Sequence, residues 1–311
     1  MKKILTAHFL LLSIIVSQIL LSFVLNVCNI GLPIVMALLV SQLTILAPFI
    51  VYCVLKRKNP FKIIRFKKVG FKTAIFSMLI ALCSYPVVVF LNLISMLFVE
   101  NAMVNVMTQV LSLGVFGGLF FMAFLPAVVE ETIFRGVLYN TYSKRRPVLG
   151  IILSALLFGL MHMNFNQLPY ALYLGIIMAL LMEAADSILA PMIVHFTMNG
   201  TSTLLSFLTM GTIDSAEAGL SLSAMSPMIL VSVIAVYGIL ALISLAIVIL
   251  LVYAVFRNHN RKPSEIFRAD HSDTAYLLRK DGKMHKNRMI DVFVILFTIY
   301  TLYSCIISAI G

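Results

Sequence analysis

The chain has 311 residues, of which 61% are hydrophobic and 11% charged, with a mean hydropathy of +1.06. A soluble domain is about half apolar and about a quarter charged, so this composition excludes a soluble globular protein. The net charge of +11 does not indicate nucleic-acid binding, because the 23 Lys and Arg residues lie in four stretches that separate apolar runs. Those stretches are 2–3, 56–72, 135–146 and 257–288.

Nine apolar runs follow one another along the sequence. Roughly 20 apolar residues suffice for a helix to cross a hydrocarbon layer about 30 Å thick. Lipid offers no partner to backbone N–H and C=O groups, so such runs must be helical. The sequence therefore predicts an all-α polytopic membrane protein with about eight or nine transmembrane helices. The runs are 4–27, 33–55, 73–99, 109–129, 148–163, 168–183, 188–208, 227–256 and 290–310.

Loop charges predict the orientation of these spans. Segment 56–72 holds eight Lys or Arg residues and segment 257–288 holds nine, whereas loop 209–226 holds Asp214, Glu217 and no basic residue. Basic loops stay on the cytoplasmic side. We therefore expect an uncleaved first span, a cytoplasmic N-terminus, and integral localisation in the plasma membrane.

The same pattern predicts five regions. The first is a set of N-terminal helices with a basic cytoplasmic loop, and the second is a core that carries the polar residues. An external loop with one helix, a basic cytoplasmic linker and a C-terminal helix follow. Their bounds are 1–108, 109–208, 209–256, 257–289 and 290–311.

Ionisable residues inside spans are costly and are candidates for function. In the sequence PAVVEETIFRG, Glu131 and Arg135 are four residues apart, so they can form an ion pair on one helix face. Glu130 points about 100° away around the helix and is left free. Adjacent carboxylates suit a general base, although the three residues alone also fit a structural salt-bridge cluster.

Three further polar residues lie on the next spans. His162 follows Phe158 by one helical turn, and His195 precedes Asn199 by one turn. Taken singly, each pair also fits ordinary hydrogen bonding between helices. Glu130 and His162 lie about 21–22 Å along their helices from the turn that joins them, so we expect both at one depth. His195 can join them, which predicts a polar catalytic cavity open toward the cytoplasm.

The inventory of this cluster favours hydrolysis by water. A carboxylate and a histidine can hold and deprotonate water, directly or through a metal, while a second histidine and an amide can stabilise an oxyanion. No Ser or Cys residue is arranged with the set as a nucleophile. An acyl-enzyme mechanism is therefore disfavoured.

At these residues the chain resembles the CPBP family, which comprises CAAX-prenyl-protease and bacteriocin-processing (Abi) intramembrane proteases. The family pattern is E-E-x-x-x-R, then F-x-x-x-H, then H-x-x-x-N or D. The sequence has EETIFR at 130–135, FGLMH at 158–162 and HFTMN at 195–199. The resemblance covers about 109–208.

The resemblance implies roles for six residues. Glu130 and His162 would activate water, His195 and Asn199 would form the oxyanion site, and Glu131 and Arg135 would brace the cluster. The family is usually described as metalloproteases, although a metal-free glutamate mechanism has also been argued. If a metal binds, we expect Zn²⁺ held by Glu130, His162 and His195. The implied partners are a peptide or membrane-protein substrate and the lipid bilayer.

Two alternatives to an intramembrane metalloendopeptidase stay open at the sequence level. The chain can be a non-catalytic scaffold or bacteriocin-immunity protein of the same family. It can also be a proton-coupled transporter that uses the carboxylates and histidines as a relay, although the sequence shows no internal repeat of the kind many transporters have.

Overall fold

In the described part of the chain, nine helices correspond to the nine apolar runs. The computed structural model describes residues 2–100, 106–107, 109–110, 112–144, 146–210, 226–267 and 292–310, and these contain no β-strand. The helices are α1 Lys2–Val27, α2 Ile34–Leu55, α3 Phe71–Met96, α4 Gly114–Tyr142, α5 Pro147–Met161, α6 Leu168–Ala185, α7 Leu189–Met210, α8 Pro227–Asn258 and α9 Val292–Ile310.

Seven of these helices are long and apolar enough to cross a membrane by length and composition. Helix α5 is shorter, with 15 residues, and α7 carries more polar side chains. The predicted all-α polytopic membrane fold is confirmed. The opening of a catalytic cavity toward the cytoplasm stays a prediction.

Helix α4 differs most from its apolar run. The run ends at Val129, where two glutamates follow, but the helix continues to Tyr142. The reason is that the residues after Val129 enter the protein interior: all of 131–140 are buried. Arg135 and Tyr139 find hydrogen-bond partners on α6 there, so the helix does not need to end at the first charge.

The helices pack around α3, α4 and α6. Helix α3 contacts α6, α7 and α8, and α5 lies against α6 and α4. Helix α7 packs along α4, and α1 contacts α2 and α9. The three spans with the sequence motifs, α4, α5 and α7, therefore all contact α6.

Segment 56–70 connects α2 to α3 and folds back onto the end of α4. Ile64 packs on Gly136, where a Cβ atom would lie 2.7 Å from the Ile64 side chain. Arg65 donates a hydrogen bond to Asn140 (2.8 Å), and Asn140 donates one to the carbonyl of Ile63 (2.6 Å). The basic loop predicted from sequence is therefore fixed to the helix that carries the first motif.

Several predicted features lie outside the described residues. They include Asp214 and Glu217 of the predicted external loop, Arg145, and the part of the predicted linker after Phe267. The described start of that linker is a 3₁₀ helix, Pro263–Phe267.

Candidate active site

Helix α4 alternates between α-helical and π-helical geometry around the first motif. The α-helical segment Leu125–Glu131 holds both glutamates and lies between two π-helical segments, Leu119–Phe124 and Thr132–Tyr139. Segments of π-helix are rare and are frequent at functional sites. Pro126, at the start of the α-helical segment, helps to explain the change, because it has no N–H to donate to the preceding turn.

The predicted ion pair between Glu131 and Arg135 forms. Arg135 Nη1 lies 2.8 Å from Glu131 Oε1, and both side chains are fully buried. Arg135 also donates through Nη2 to the carbonyl of Gly175 on α6 (3.2 Å). A buried charge needs such partners, so Glu131 and Arg135 tie α4 to α6 and are shielded from water.

His195 lies between the two glutamates. Its Nδ1 is 2.9 Å from Glu131 Oε1, the same oxygen that Arg135 contacts. A carboxylate paired with arginine accepts hydrogen bonds, so Nδ1 carries the proton in this contact. The other ring nitrogen, Nε2, then faces Glu130 Oε2 at 4.0 Å. Glu131 thereby fixes both the tautomer and the orientation of His195.

The ring of Phe158 on α5 contacts residues of all three motifs. The guanidinium carbon of Arg135 lies 4.3 Å from its centroid. The rings of His162 and His195 make edge-on contacts with it, at centroid distances of 5.0 and 5.9 Å. A cation over a desolvated aromatic face is attracted by the ring quadrupole. The aromatic residue of the second motif thus positions residues from all three.

His162 is oriented by its own helix. Its Nδ1 donates to the carbonyl of Phe158 (2.9 Å), which leaves Nε2 available. Among the described residues, no hydrogen bond or ion pair joins His162 to Glu130. The structure therefore gives His195, rather than His162, as the imidazole next to Glu130.

Asn199 satisfies a carbonyl group that Pro126 leaves without its α-helical donor. Met122 lies in the π-helical segment, where the i to i+4 pairing of an α-helix is interrupted, and Pro126 has no N–H that could restore this pairing. Asn199 Nδ2 donates to that carbonyl at 3.0 Å. One N–H of the amide is engaged in this way, and the second stays available for another acceptor.

Gln42 on α2 is a site residue that the sequence reasoning missed. Its Nε2 donates to Glu130 Oε1 at 3.2 Å, and its Oε1 is buried with no hydrogen-bond partner. The ionisable residues within the spans point to 130–199, whereas Gln42 is an uncharged amide in a distant span. Its signal was present nonetheless, as the polar pair Ser41-Gln42 inside an apolar run.

The predicted zinc ligands do not form a complete set. A zinc site needs at least three protein ligands, and the described residues contain no group of three or more His, Cys, Asp or Glu side chains that could hold a metal ion. Glu130 and His195 approach each other, but His162 does not join them. The described geometry therefore does not fit the predicted three-ligand set.

Residues 112–201 match the family model described as type II CAAX prenyl endopeptidase Rce1-like. This segment is similar to the Rce1-like family. The match contains all three motifs, at 130–135, 158–162 and 195–199, and it confirms the resemblance to the CPBP family. The Rce1-like segment covers less than a third of the chain. Gln42, on α2, lies outside it. No curated protein and no solved structure was found to match the chain.

Proposed function

We propose that the chain is an intramembrane endopeptidase that hydrolyses a peptide bond of a peptide or membrane-associated substrate. The Rce1-like segment supports a CAAX-type protease at the level of the family. The observation that carries the proposal is the different environment of two adjacent carboxylates. Glu131 is fully buried and paired, whereas the side chain of Glu130 is 15% exposed and faces Nε2 of His195.

Glu130 is the general base in this proposal. The 4.0 Å between Glu130 Oε2 and His195 Nε2 is too long for a direct hydrogen bond. One oxygen atom bound between them is within reach of both. A water molecule held there transfers a proton to Glu130 while the oxygen of the water attacks the carbonyl carbon of the substrate. Glu130 then passes that proton to the departing amine.

His195 assists Glu130 at the carbonyl group. When both ring nitrogens carry a proton, Nδ1 stays bonded to Glu131 and Nε2 donates to the oxygen that becomes negative in the tetrahedral intermediate. Its orientation comes from Glu131 and is therefore set before substrate binds. The remaining N–H of Asn199 and the Nε2 atom of His162 are the further groups proposed to contact water or oxyanion, as the family pattern implies.

Gln42 positions the base from outside the Rce1-like segment. Its hydrogen bond holds Glu130 Oε1, so the other oxygen, Oε2, points toward His195. Fixed orientation of a reacting group lowers the barrier because less freedom is lost in the transition state. We propose further that the basic end of the helices faces the cytoplasm of a plasma membrane, as the loop charges predict.

Peptide cleavage by the purified full-length protein in detergent tests the proposal. The substrates are a C-terminally prenylated CAAX-type peptide and the same peptide without the prenyl group. We expect Glu130→Gln to abolish cleavage without changing the melting temperature. Glu100→Gln, the same change at an exposed position, should cleave like wild type. Cleavage by Glu130→Gln at the wild-type rate would rule out the proposed base.

The same purified proteins serve to measure the metal content. Zinc binding stays a prediction, and elemental analysis of the purified protein before and after chelation tests it. Stoichiometric zinc that is lost in both His162→Ala and His195→Ala would support the predicted ligands.

A further inference from the structure

A cavity lies at the basic end of the helices, away from the three motifs. It has a volume of about 400 Å³ and is formed by segment 61–67 together with the turn between α6 and α7. None of the six residues that line it belongs to the Rce1-like motifs. They are Phe61, Lys62, Arg65, Phe66, Lys67 and Asp186.

The cavity has an excess of positive charge. Asp186 pairs with Arg65 (3.2 Å) and with Lys67. The ammonium group of Lys62 makes no ion pair with any residue in the described part of the chain. The lining thus holds three cations and one carboxylate, and Arg65 is also 3.8 Å from Glu183, which does not line the cavity. The side chain of Lys67 is still 58% exposed. Such a cavity attracts an anion.

The walls of the cavity are held by hydrogen bonds to two other elements. Arg65 donates to Asn140 at the end of α4 (2.8 Å), and its carbonyl accepts from the N–H of Ile188 (3.2 Å). The hydroxyl group of Ser187 donates to the carbonyl of Lys67 (2.5 Å). The cationic side chains thus project from a backbone that is fixed in place, and a ligand does not have to order it.

Two exposed aromatic rings stand beside the cations. Phe61 and Phe66 contact each other edge-on at 5.4 Å, and both are exposed to the surroundings. They lie between the end of α2 at Leu55 and the start of α3 at Phe71, which places them near the boundary of the hydrocarbon layer. A ligand with an anionic group and an attached apolar part matches these walls better than a free ion does.

We propose that this cavity binds the phosphate-bearing headgroup of an anionic membrane lipid. Lys62 and Lys67 contact the phosphate, and Phe61 and Phe66 contact the glycerol and the first carbons of the acyl chains. Basic pockets between transmembrane helices bind such headgroups in other membrane proteins. The proposal is independent of the proposed peptidase, because lipid binding is measured without any substrate.

The test measures the melting temperature of the full-length protein in neutral detergent during titration with phosphatidylglycerol or phosphatidylcholine. A ligand that binds only the folded state stabilises it by RT ln(1 + [L]/Kd), so the melting temperature rises once the lipid concentration approaches the Kd. We expect phosphatidylglycerol to stabilise the wild type and phosphatidylcholine to have no effect. Lys62→Gln should weaken the apparent affinity roughly fivefold, and Lys62→Glu should weaken it further.

Lys58 supplies the matched control, because it is exposed on the same basic segment but does not line the cavity. Lys58→Gln and Lys58→Glu should keep the wild-type affinity. Equal losses in the Lys58 and Lys62 variants would overturn the proposal and indicate diffuse attraction to a basic surface.

Two further titrations identify the source of the phosphate group. Inorganic phosphate should not stabilise the protein at concentrations where phosphatidylglycerol does, and Phe61→Ser should weaken binding of the lipid. If phosphate alone stabilises the wild type as well as the lipid does, and Phe61→Ser leaves both unchanged, the lipid is not the ligand.

Discussion

Gln42 Nε2 donates a hydrogen bond of 3.2 Å to Glu130 Oε1, between residues 88 positions apart in the sequence. We expect Gln42→Leu to lower kcat by about 10- to 100-fold with little change in KM, since a hydrogen bond to a charged group contributes roughly 1.5–3 kcal/mol. Steady-state kinetics with the peptide substrates measures the effect.

Gln18→Leu is the control for that prediction. It makes the same change on α1, and among the described residues Gln18 makes no hydrogen bond with Glu130. A fall in kcat of equal size in both variants would mean that Gln42 acts through general stability and not through the position of Glu130.

Arg135 is expected to be the most sensitive position for stability. Arg135→Leu leaves Glu131 charged and fully buried, which should lower the free energy of unfolding by about 3–5 kcal/mol. Replacing both residues by leucine removes the stranded charge and should cost less than Arg135→Leu alone. Denaturation measures the free energy of unfolding of the wild type, Arg135→Leu, Glu131→Leu and the double variant. If the losses of the two single variants add up to that of the double variant, the expected coupling is contradicted.

Asn199 and Pro126 should be coupled through the carbonyl of Met122. Asn199→Leu removes the side-chain donor of this carbonyl, at a cost of about 1–3 kcal/mol. In a Pro126→Ala background, the N–H restored at position 126 can donate instead, so Asn199→Leu should cost less there. Melting temperatures of the four proteins test the coupling. An equal cost in both backgrounds would show that the amide has another structural role.

Gly175 allows the close approach of α6 to α5. A Cβ atom at this position would lie 2.9 Å from both Cα and Cβ of Ala155, which cannot move without its helix. Gly175→Ala should therefore destabilise the protein by about 1–3 kcal/mol. Gly200→Ala is the control, because the nearest atom to its Cβ would be 3.6 Å away in ordinary contact. Equal stability of the two variants would contradict this account.

His259, just after the end of α8, should make stability depend on pH. Burial lowers the pKa of His259 below its usual value, and the nearby charge of Arg261 lowers it further. The unfolded chain therefore binds a proton at a higher pH than the folded protein does. Stability should fall as pH decreases below about 6.5.

The measurement is the melting temperature between about pH 7.5 and pH 5. His259→Gln cannot take up that proton but can still contact Thr73, whose hydroxyl group lies 2.9 Å from the histidine ring. We expect a flatter pH profile for this variant. A profile as steep as that of the wild type would assign the dependence to other groups.

The sequence determines the membrane class and the helices because both depend on properties of continuous segments. Lipid requires each long apolar run to satisfy its own backbone hydrogen bonds, so helices follow from hydropathy alone. The Glu131–Arg135 pair also follows from spacing, since residues four apart on one helix are neighbours. The order of the three motifs was enough to indicate the family.

Contacts between helices depend on how the spans pack, and only the tertiary structure decided them. Hydropathy does not show that α2 reaches Glu130 through Gln42, or that His195 approaches Glu130 more closely than His162 does. The continuation of α4 past Glu130 has the same origin, because Arg135 and Tyr139 find partners on α6 and Glu131 finds one on α7. Residue type and spacing along the chain identified the candidate residues. The packing of helices distant in sequence determined which of these residues contact each other.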